Sequence, residues 1–553
     1  MSLRDKAAQM VWPWMLGDYL ADNDPASRRL ESYVTTEHVG GFIVSLGAPF
    51  EIAQKLNALQ RLSALPLIVG ADYEYGAGMR ARGAFFLPNA IDLGGAVTLP
   101  PQMALGATGD TALAYEVGRV TAIEGRALGV HLDFTPVLDV NNNPANPVIS
   151  TRSFGEDPRQ VARLGAAEIR GLQEHGMLAT GKHFPGHGDT ETNSHLAMAV
   201  VTASRARLDT LELVPFRAAI AAGVSTIMTF HGALPALDSA TVPATLSRRI
   251  MTGLLRDELH FGGLIVSDAM DMQGVLGRYG LAEACKRAVD AGVDVLLMPA
   301  DIRGCIDAVV AGVVEGRFSE QRIDQSVHRL FEMKARLGLD RRRFVDLDSV
   351  RALVGDTAHA GLARLIAERS ITIVKDSLRQ LPLSQLPRAS RLLSIGYSQR
   401  AELYANGALD AELRRAFPVT RSQWINSDDP ATNYPRLLAM ADSADIVIVA
   451  SYLGHSSTMA SIGAPKAFSD FVNDLVQRGR HPIVVAMGNP YFLQQVPATA
   501  AYVVGWMGFP VSQTAMGRAL VGAAPVTGRL PIRIPPFAAI GAGESRASSP
   551  PPR

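Results

Sequence analysis

From about residue 5 to residue 340 the apolar and polar positions repeat one phrase: an amphipathic helical stretch, a glycine, then a short apolar run. "QVARLGAAEIRGLQEHG" leads into "MLATGKH", "LDTLELVPFRAAIAAG" into "VSTIMTFH", and "LAEACKRAVDAG" into "VDVLLMPAD". Gly176, Gly223 and Gly292 stand where a helix end takes a left-handed residue. The apolar runs are continuous, not alternating, which predicts parallel strands covered on both faces. "GGFIVSL", "LPLIVGAD", "GVHLDFTP" and "GGLIVSD" bring the count to at least seven, and "QMVWP" offers an eighth. The pattern therefore predicts an α/β fold whose N-terminal part, residues 1–345, is a (β/α)8 TIM-type barrel.

The phrase then changes. Residues 346–370 read as a linker and a leading helix. Over 371–540, "ITIVKD", "RLLSIGYS", "ADIVIVASYL", "PIVVAMGNP" and "AYVVGWMG" alternate with helical stretches such as "PKAFSDFVNDLVQRG", predicting a smaller α/β sandwich with a largely parallel sheet. The end, 541–553, is small, polar and proline-rich ("AGESRASSPPPR"), and is expected to be disordered.

Composition narrows the functional classes. The 53 basic and 53 acidic residues balance, which gives no electrostatic reason to expect nucleic acid or an anionic membrane as partner. No apolar run reaches membrane-spanning length. Cys285 and Cys305 sit in helix-like apolar surroundings without CxxC spacing, so two small buried side chains are expected, not a disulfide or a zinc site. No GxGxxG follows a strand and no P-loop is present, so no nucleotide or redox cofactor is expected.

Candidate chemistry collects at the strand ends. Asp72 closes "LIVGAD", His183 "LATGKH", His231 "STIMTFH" and Asp268 "LIVSD". In such barrels the C-terminal strand ends line the active site. "KHFPGHGDTETNSH", Lys182 to His195, adds three histidines on an irregular stretch. His183 and His187 have the i,i+4 spacing of a zinc pair, but Pro185 and Gly186 forbid the helix that would align them, so no metal is expected. An acid–base role fits better. Glycoside cleavage needs a proton donor for the leaving oxygen and a carboxylate on the other face of the sugar. Histidine titrates near neutrality and can be that donor; Asp268 is placed to be the carboxylate.

The motifs "GKHFPGHGDT…SH", "NPVISTRSFGEDP", "SDAMDM" and "DYEYGAGMRARGAFFLPNA", in this order and spacing, resemble glycoside hydrolase family 3, most of all its β-N-acetylglucosaminidase branch. "GRALVGAAPVTGRLPIRIP" resembles the closing segment of two-domain members. The resemblance implies a retaining exo-hydrolase working through a covalent glycosyl-enzyme. It makes Asp268 the nucleophile and His195 the general acid/base. Lys182, His183, Arg152, Asp72 and Arg80 become the residues that bind sugar hydroxyls. The implied partner is a terminal β-linked N-acetylglucosaminide of a peptidoglycan fragment or chitin oligosaccharide, and a homodimer is an allowed assembly.

Two positions depart from the family pattern. Asn193 stands where an aspartate usually forms a dyad with the histidine. An asparagine can orient an imidazole but adds no charge to its protonated form. Asp189 or Glu191 is expected to compensate in part, or the acid limb of the pH profile to shift down. Tyr75 stands where a glycine usually follows the strand-3 glutamate, which affects the outer pocket.

Alternatives within the family are a β-glucosidase or β-xylosidase, disfavoured because the "PGHG…SH" loop is intact, and a phosphorylase, since a histidine acid/base leaves less negative charge to repel phosphate. A non-catalytic carbohydrate-binding protein is the alternative from another class. As written, the chain is expected in the cytoplasm, or exported if a signal peptide precedes "MSLRDKAAQM".

Overall fold

The computed structural model describes all residues except 22, 84–93, 195, 400–405, 428–432, 455–460 and 550–553. The first sheet is parallel throughout. Its strands are β1 (Val11–Trp12 and Trp14–Met15), β2 (Gly41–Val44), β3 (Ile68–Ala71), β4 (Leu132–Asp133), β5 (Leu178–Phe184), β6 (Thr226–Thr229), β7 (Leu264–Ala269) and β8 (Val295–Leu297). Pro13 splits β1: Val11 and Trp12 pair with β8, while Trp14 and Met15 pair with β2, so the one strand closes the sheet into a barrel. Proline lacks a donor, but its carbonyl still accepts from the Ile43 amide at 2.9 Å, which keeps the seam hydrogen-bonded.

The barrel core is the apolar runs themselves. Trp12, Phe42, Ile68, Leu132, Ile227, Ile265 and Leu296 are all fully buried, as two-sided burial of parallel strands requires. Gly176, Gly223 and Gly292 have φ of 81°, 76° and 120°, the left-handed turns that end each helix before its strand.

The second sheet holds β9 (Thr372–Asp376), β10 (Leu392–Ser398), β11 (Thr420–Asn426), β12 (Ile446–Tyr452), β13 (Ile483–Ala486) and β14 (Ala501–Val504), in the order β9-β14-β13-β12-β10-β11. Only the β9–β14 pairing is antiparallel. One face packs into a core continuous with barrel-side residues Leu99, Met103, Phe154 and Val161. The Tyr491 hydroxyl meets Asn141 at 2.9 Å, and the Arg533 amide donates to Glu156 at 2.7 Å. The two sheets thus share buried surface as well as a linker.

Two expectations are corrected. Cys285 and Cys305 form a disulfide, their Cα atoms 6.0 Å apart. The helices Gln273–Ala291 and Ile302–Val314 pack side by side and bring together cysteines that lie 20 residues apart in sequence, a proximity no short motif announces. The tail is ordered through residue 549. The Glu544 amide donates to Ile373, Arg546 exchanges backbone bonds with Val526, and the Ser549 amide donates to Gly522. Small polar residues left it without an apolar signature, but backbone pairing fixes it; residues 550–553 lie outside the described ones. No helix among the described residues is long and apolar enough to cross a membrane.

Candidate active site

A cavity of about 500 Å³ opens at the C-terminal ends of the barrel strands. Asp72, Glu74 and Arg80 reach it from the segment after β3, Arg152 from the loop after β4, and Lys182 and His183 from the end of β5. Asn193 from the loop beyond β5 and Asp268 from β7 complete the polar lining. Seven of the eight site residues expected from the sequence therefore meet in one cavity. The eighth, His195, lies outside the described residues.

The polar floor is a chain of ion pairs. Arg152 grips Glu74 with two nitrogens, Nε at 2.8 Å and Nη2 at 2.7 Å. Lys182 Nζ lies 2.7 Å from Glu74 and donates to Asp72 at 3.0 Å, and Arg80 donates to the other Asp72 oxygen at 3.3 Å. Burial disfavours the Glu74 anion, but Arg152 and Lys182 outweigh it and hold the carboxyl well below the usual range. Burial likewise opposes the charge on Lys182, yet Glu74 and Asp72 raise its pKa above the ordinary lysine value. The ammonium stays protonated, a donor fixed for an incoming hydroxyl.

Glu74 was missed from sequence, although it sits two residues past Asp72 in "DYEYG". Its role comes from charge neutralisation across strands, which no local spacing reveals. Its neighbour Tyr75 is buried and packs edge-on against Phe509 of the second domain, ring centroids 5.5 Å apart.

The three histidines take separate tasks. His183 holds Asp139 through Nδ1 at 2.7 Å, and the amides of His183 and His187 also donate to that carboxylate, at 3.2 and 2.6 Å. Burial opposes the Asp139 charge, but His183 and these donors keep its pKa lowered. Asp139 is a second residue the sequence did not flag: it orients the imidazole from behind. The His187 ring spans Thr190 Oγ1 and Ser194 Oγ, both at 2.9 Å. Burial, and then the nearness of His183, push its pKa down to about 3, so it remains a neutral staple, one nitrogen donating and the other accepting. The Asn193 carbonyl accepts from the Leu196 amide at 2.9 Å and the Ala197 amide at 3.1 Å. A Cβ at Gly188 would collide with the Val140 carbonyl, which explains the glycine in this loop.

Of the two carboxylates expected to compensate for Asn193, Asp189 pairs with Arg207 at 2.8 Å, so an arginine already neutralises it. Glu191 accepts a long bond from Asn143, 3.5 Å.

Asp268 sits where β7 ends. Its Oδ1 accepts from the Ala269 amide at 2.7 Å, and its own amide donates to Thr229 at 3.4 Å. His231, also expected at the rim, is fully buried behind the wall. It contacts Thr245 Oγ1 at 2.7 Å and donates from Nε2 to the Ala269 carbonyl at 3.0 Å, bracing the segment that follows Asp268. Among the described residues no cluster of three or more His, Cys, Asp or Glu side chains is arranged to hold a metal ion.

The family model for the glycosyl hydrolase family 3 N-terminal domain matches residues 2–333. A beta-N-acetylglucosaminidase/beta-glucosidase of Cellulomonas fimi is 31% identical over 90% of this chain and 88% of its own length. Beta-hexosaminidase A of Pseudoalteromonas piscicida is 33% identical over 65% of this chain and 63% of its own. Among solved structures, a glycoside hydrolase family 3 beta-N-acetylglucosaminidase from Paenibacillus sp. str. FPU-7 superposes with a TM-score of 0.86 at 33% identity, covering 97% of this chain and 99% of that one. A beta-glucoside phosphorylase, at 24% identity and a TM-score of 0.84 over 97% of this chain and 94% of its own, shares the fold. With a matching family model over more than half its length and a relative aligned across both sheets, this chain belongs to glycoside hydrolase family 3.

Proposed function

We propose that the chain is a retaining exo-β-N-acetylglucosaminidase. One observation carries this reading: Asp268 faces the same cavity as the buried Arg152–Glu74–Lys182 array and the part-exposed Asp72 it pairs with, so a carboxylate stands beside a floor suited to hold sugar hydroxyls. Buried hydroxyls must all find partners, and fixed charges supply them without reorganisation. A floor closed by ion pairs accommodates one terminal sugar, which gives exo action.

In this reading Asp268 attacks the anomeric carbon while the bond from that carbon to the leaving oxygen breaks. His195 gives its proton to that oxygen. Water, deprotonated by the same imidazole, then cleaves the glycosyl ester with retention. The Ala269 amide stabilises the Asp268 anion between turnovers. The relatives named for N-acetylglucosaminidase and hexosaminidase support the acetamido donor; peptidoglycan fragments or chitin oligosaccharides are the substrates this reading proposes.

A panel of nitrophenyl glycosides, assayed with and without phosphate, tests this. Turnover of the β-N-acetylglucosaminide with free sugar as product is expected in both buffers. Release of sugar 1-phosphate in phosphate buffer makes the chain a phosphorylase. Turnover of β-glucoside alone shifts the donor, and no turnover of any glycoside favours a binding protein.

A further inference from the structure

We propose that the foot of the barrel, at the opposite end from the sugar cavity, holds a site for a phosphate-type oxyanion between Arg126, Arg342 and His131. His131 immediately precedes β4, so the site lies at the N-terminal ends of the strands. Arg126 sits in the last turn of helix Thr111–Ala127, which leads into that strand.

Arg342 arrives from "DRRRFVD", residues 340–346, the stretch between helix Glu320–Arg336 and the linker. That stretch is pinned. Val345 and Asn57 exchange hydrogen bonds of 2.7 and 2.9 Å, and Arg343 Nη1 donates to the Ser63 carbonyl at 3.0 Å. Val345 also lies against Gly129, where a Cβ would come within 2.7 Å of its methyl group. Arg342 is thereby held beside the end of the Arg126 helix, and its own side is exposed to solvent.

The two cations meet no counter-charge among the described residues. Nη1 of Arg126 is wholly buried and has no hydrogen-bond partner there. The helix end does not serve as one: the carbonyls of Glu124, Gly125 and Arg126 accept from the amides of Leu128, Val130 and Gly129. Both acids near Arg342 are engaged, Asp340 with Arg341 at 3.9 Å and Asp346 as the cap of helix Leu347–Leu353. Burial, then the like charge of Arg342, push the Arg126 pKa down to about 10, and no carboxylate acts to raise it. Buried charges in folded proteins are paired; Arg152 at the rim has Glu74. A guanidinium with a second cation for its neighbour marks a place for an anion.

His131 adds a neutral donor. Its Nδ1 accepts from the Val69 amide at 3.0 Å, which puts the ring proton on Nε2. Burial, then Arg126, hold its pKa well below the usual histidine value, so the ring stays uncharged. Two guanidinium forks and an imidazole N–H suit a compact anion with several oxygens, a tetrahedral phosphate before a chloride.

Thermal melts of the full chain test this in sodium phosphate, in glucose 6-phosphate and in sodium chloride at matched ionic strength. The wild type is expected to gain about 1–2 °C, saturably, in phosphate over chloride. An equal gain in glucose 6-phosphate shows that the site takes a phosphomonoester; a gain in inorganic phosphate alone shows that it takes the free ion. Arg342→Gln is expected to lose the gain and, in chloride, to melt at or above the wild-type temperature, since it removes a like charge. No gain in either phosphate overturns the proposal. So does a gain that survives Arg342→Gln, as binding to Lys182 and Arg152 at the rim would produce. A chloride melt of Arg342→Gln well below wild type also overturns it, because Arg342 would then have a partner within the fold.

Discussion

Arg152 meets Glu74 through two parallel hydrogen bonds, 2.7 and 2.8 Å, with both side chains almost wholly buried. A pair this deep stands only because each charge cancels the other, and Lys182 leans on the same carboxylate. Glu74→Ala would leave two buried cations with fewer counter-charges. Removing one partner of a buried pair costs roughly 3–5 kcal/mol. Chemical denaturation should show a loss of that order, with a higher KM because Arg152 and Lys182 lose their aim. Glu74→Gln should recover part of the packing and little of the stability.

Beneath the rim, Glu168 is 2% exposed and, among the described residues, accepts from Gln102 at 3.2 Å and Thr135 at 3.4 Å. Burial raises its pKa to about 7, and those two hydrogen bonds oppose burial without overcoming it. The folded value lies above the unfolded one, so the folded state holds the extra proton between about pH 4.5 and 7. Its contribution is fully present below the lower value and is lost as pH rises through the upper one. The loss is on the order of 3 kcal/mol. Urea melts across this range should show the decline, and Glu168→Gln should flatten it.

Asn193, two positions before His195 in sequence, lines the cavity, and its carbonyl closes a turn by accepting from Leu196 and Ala197. Asn193→Asp would place a carboxylate beside that turn. An anion near an imidazole favours its protonated form and raises its pKa. The limb of the kcat/KM profile set by loss of the histidine proton should therefore move to higher pH. An unmoved limb means the two groups do not interact.

The barrel was legible because parallel strands buried on both faces are written as unbroken apolar runs, and each preceding helix is punctuated by a glycine such as Gly223. Asp72, His183 and Asp268 were legible because a polar side chain at the end of a buried run tends to face the open rim; His231 was not, since its ring turns into the wall against Thr245 and the Ala269 carbonyl. Glu74 and Asp139 were not legible, since their meaning lies in partners 78 and 44 residues away, Arg152 and His183. The Cys285–Cys305 bridge was hidden likewise, because helix packing sets that distance. The tail misled through composition: "AGESRAS" lacks apolar residues, yet its backbone pairs with Ile373 and Val526.

Retaining cleavage requires Asp268 to form a bond to the sugar, and trapping that bond is the direct test. Incubation with 5-fluoro-N-acetylglucosaminyl fluoride, followed by intact mass and peptide mapping, should show one sugar per chain on the peptide containing Asp268, while Asp268→Asn stays unlabelled and loses at least about 10³-fold in kcat. A label on another residue, or full turnover by Asp268→Asn, would contradict it.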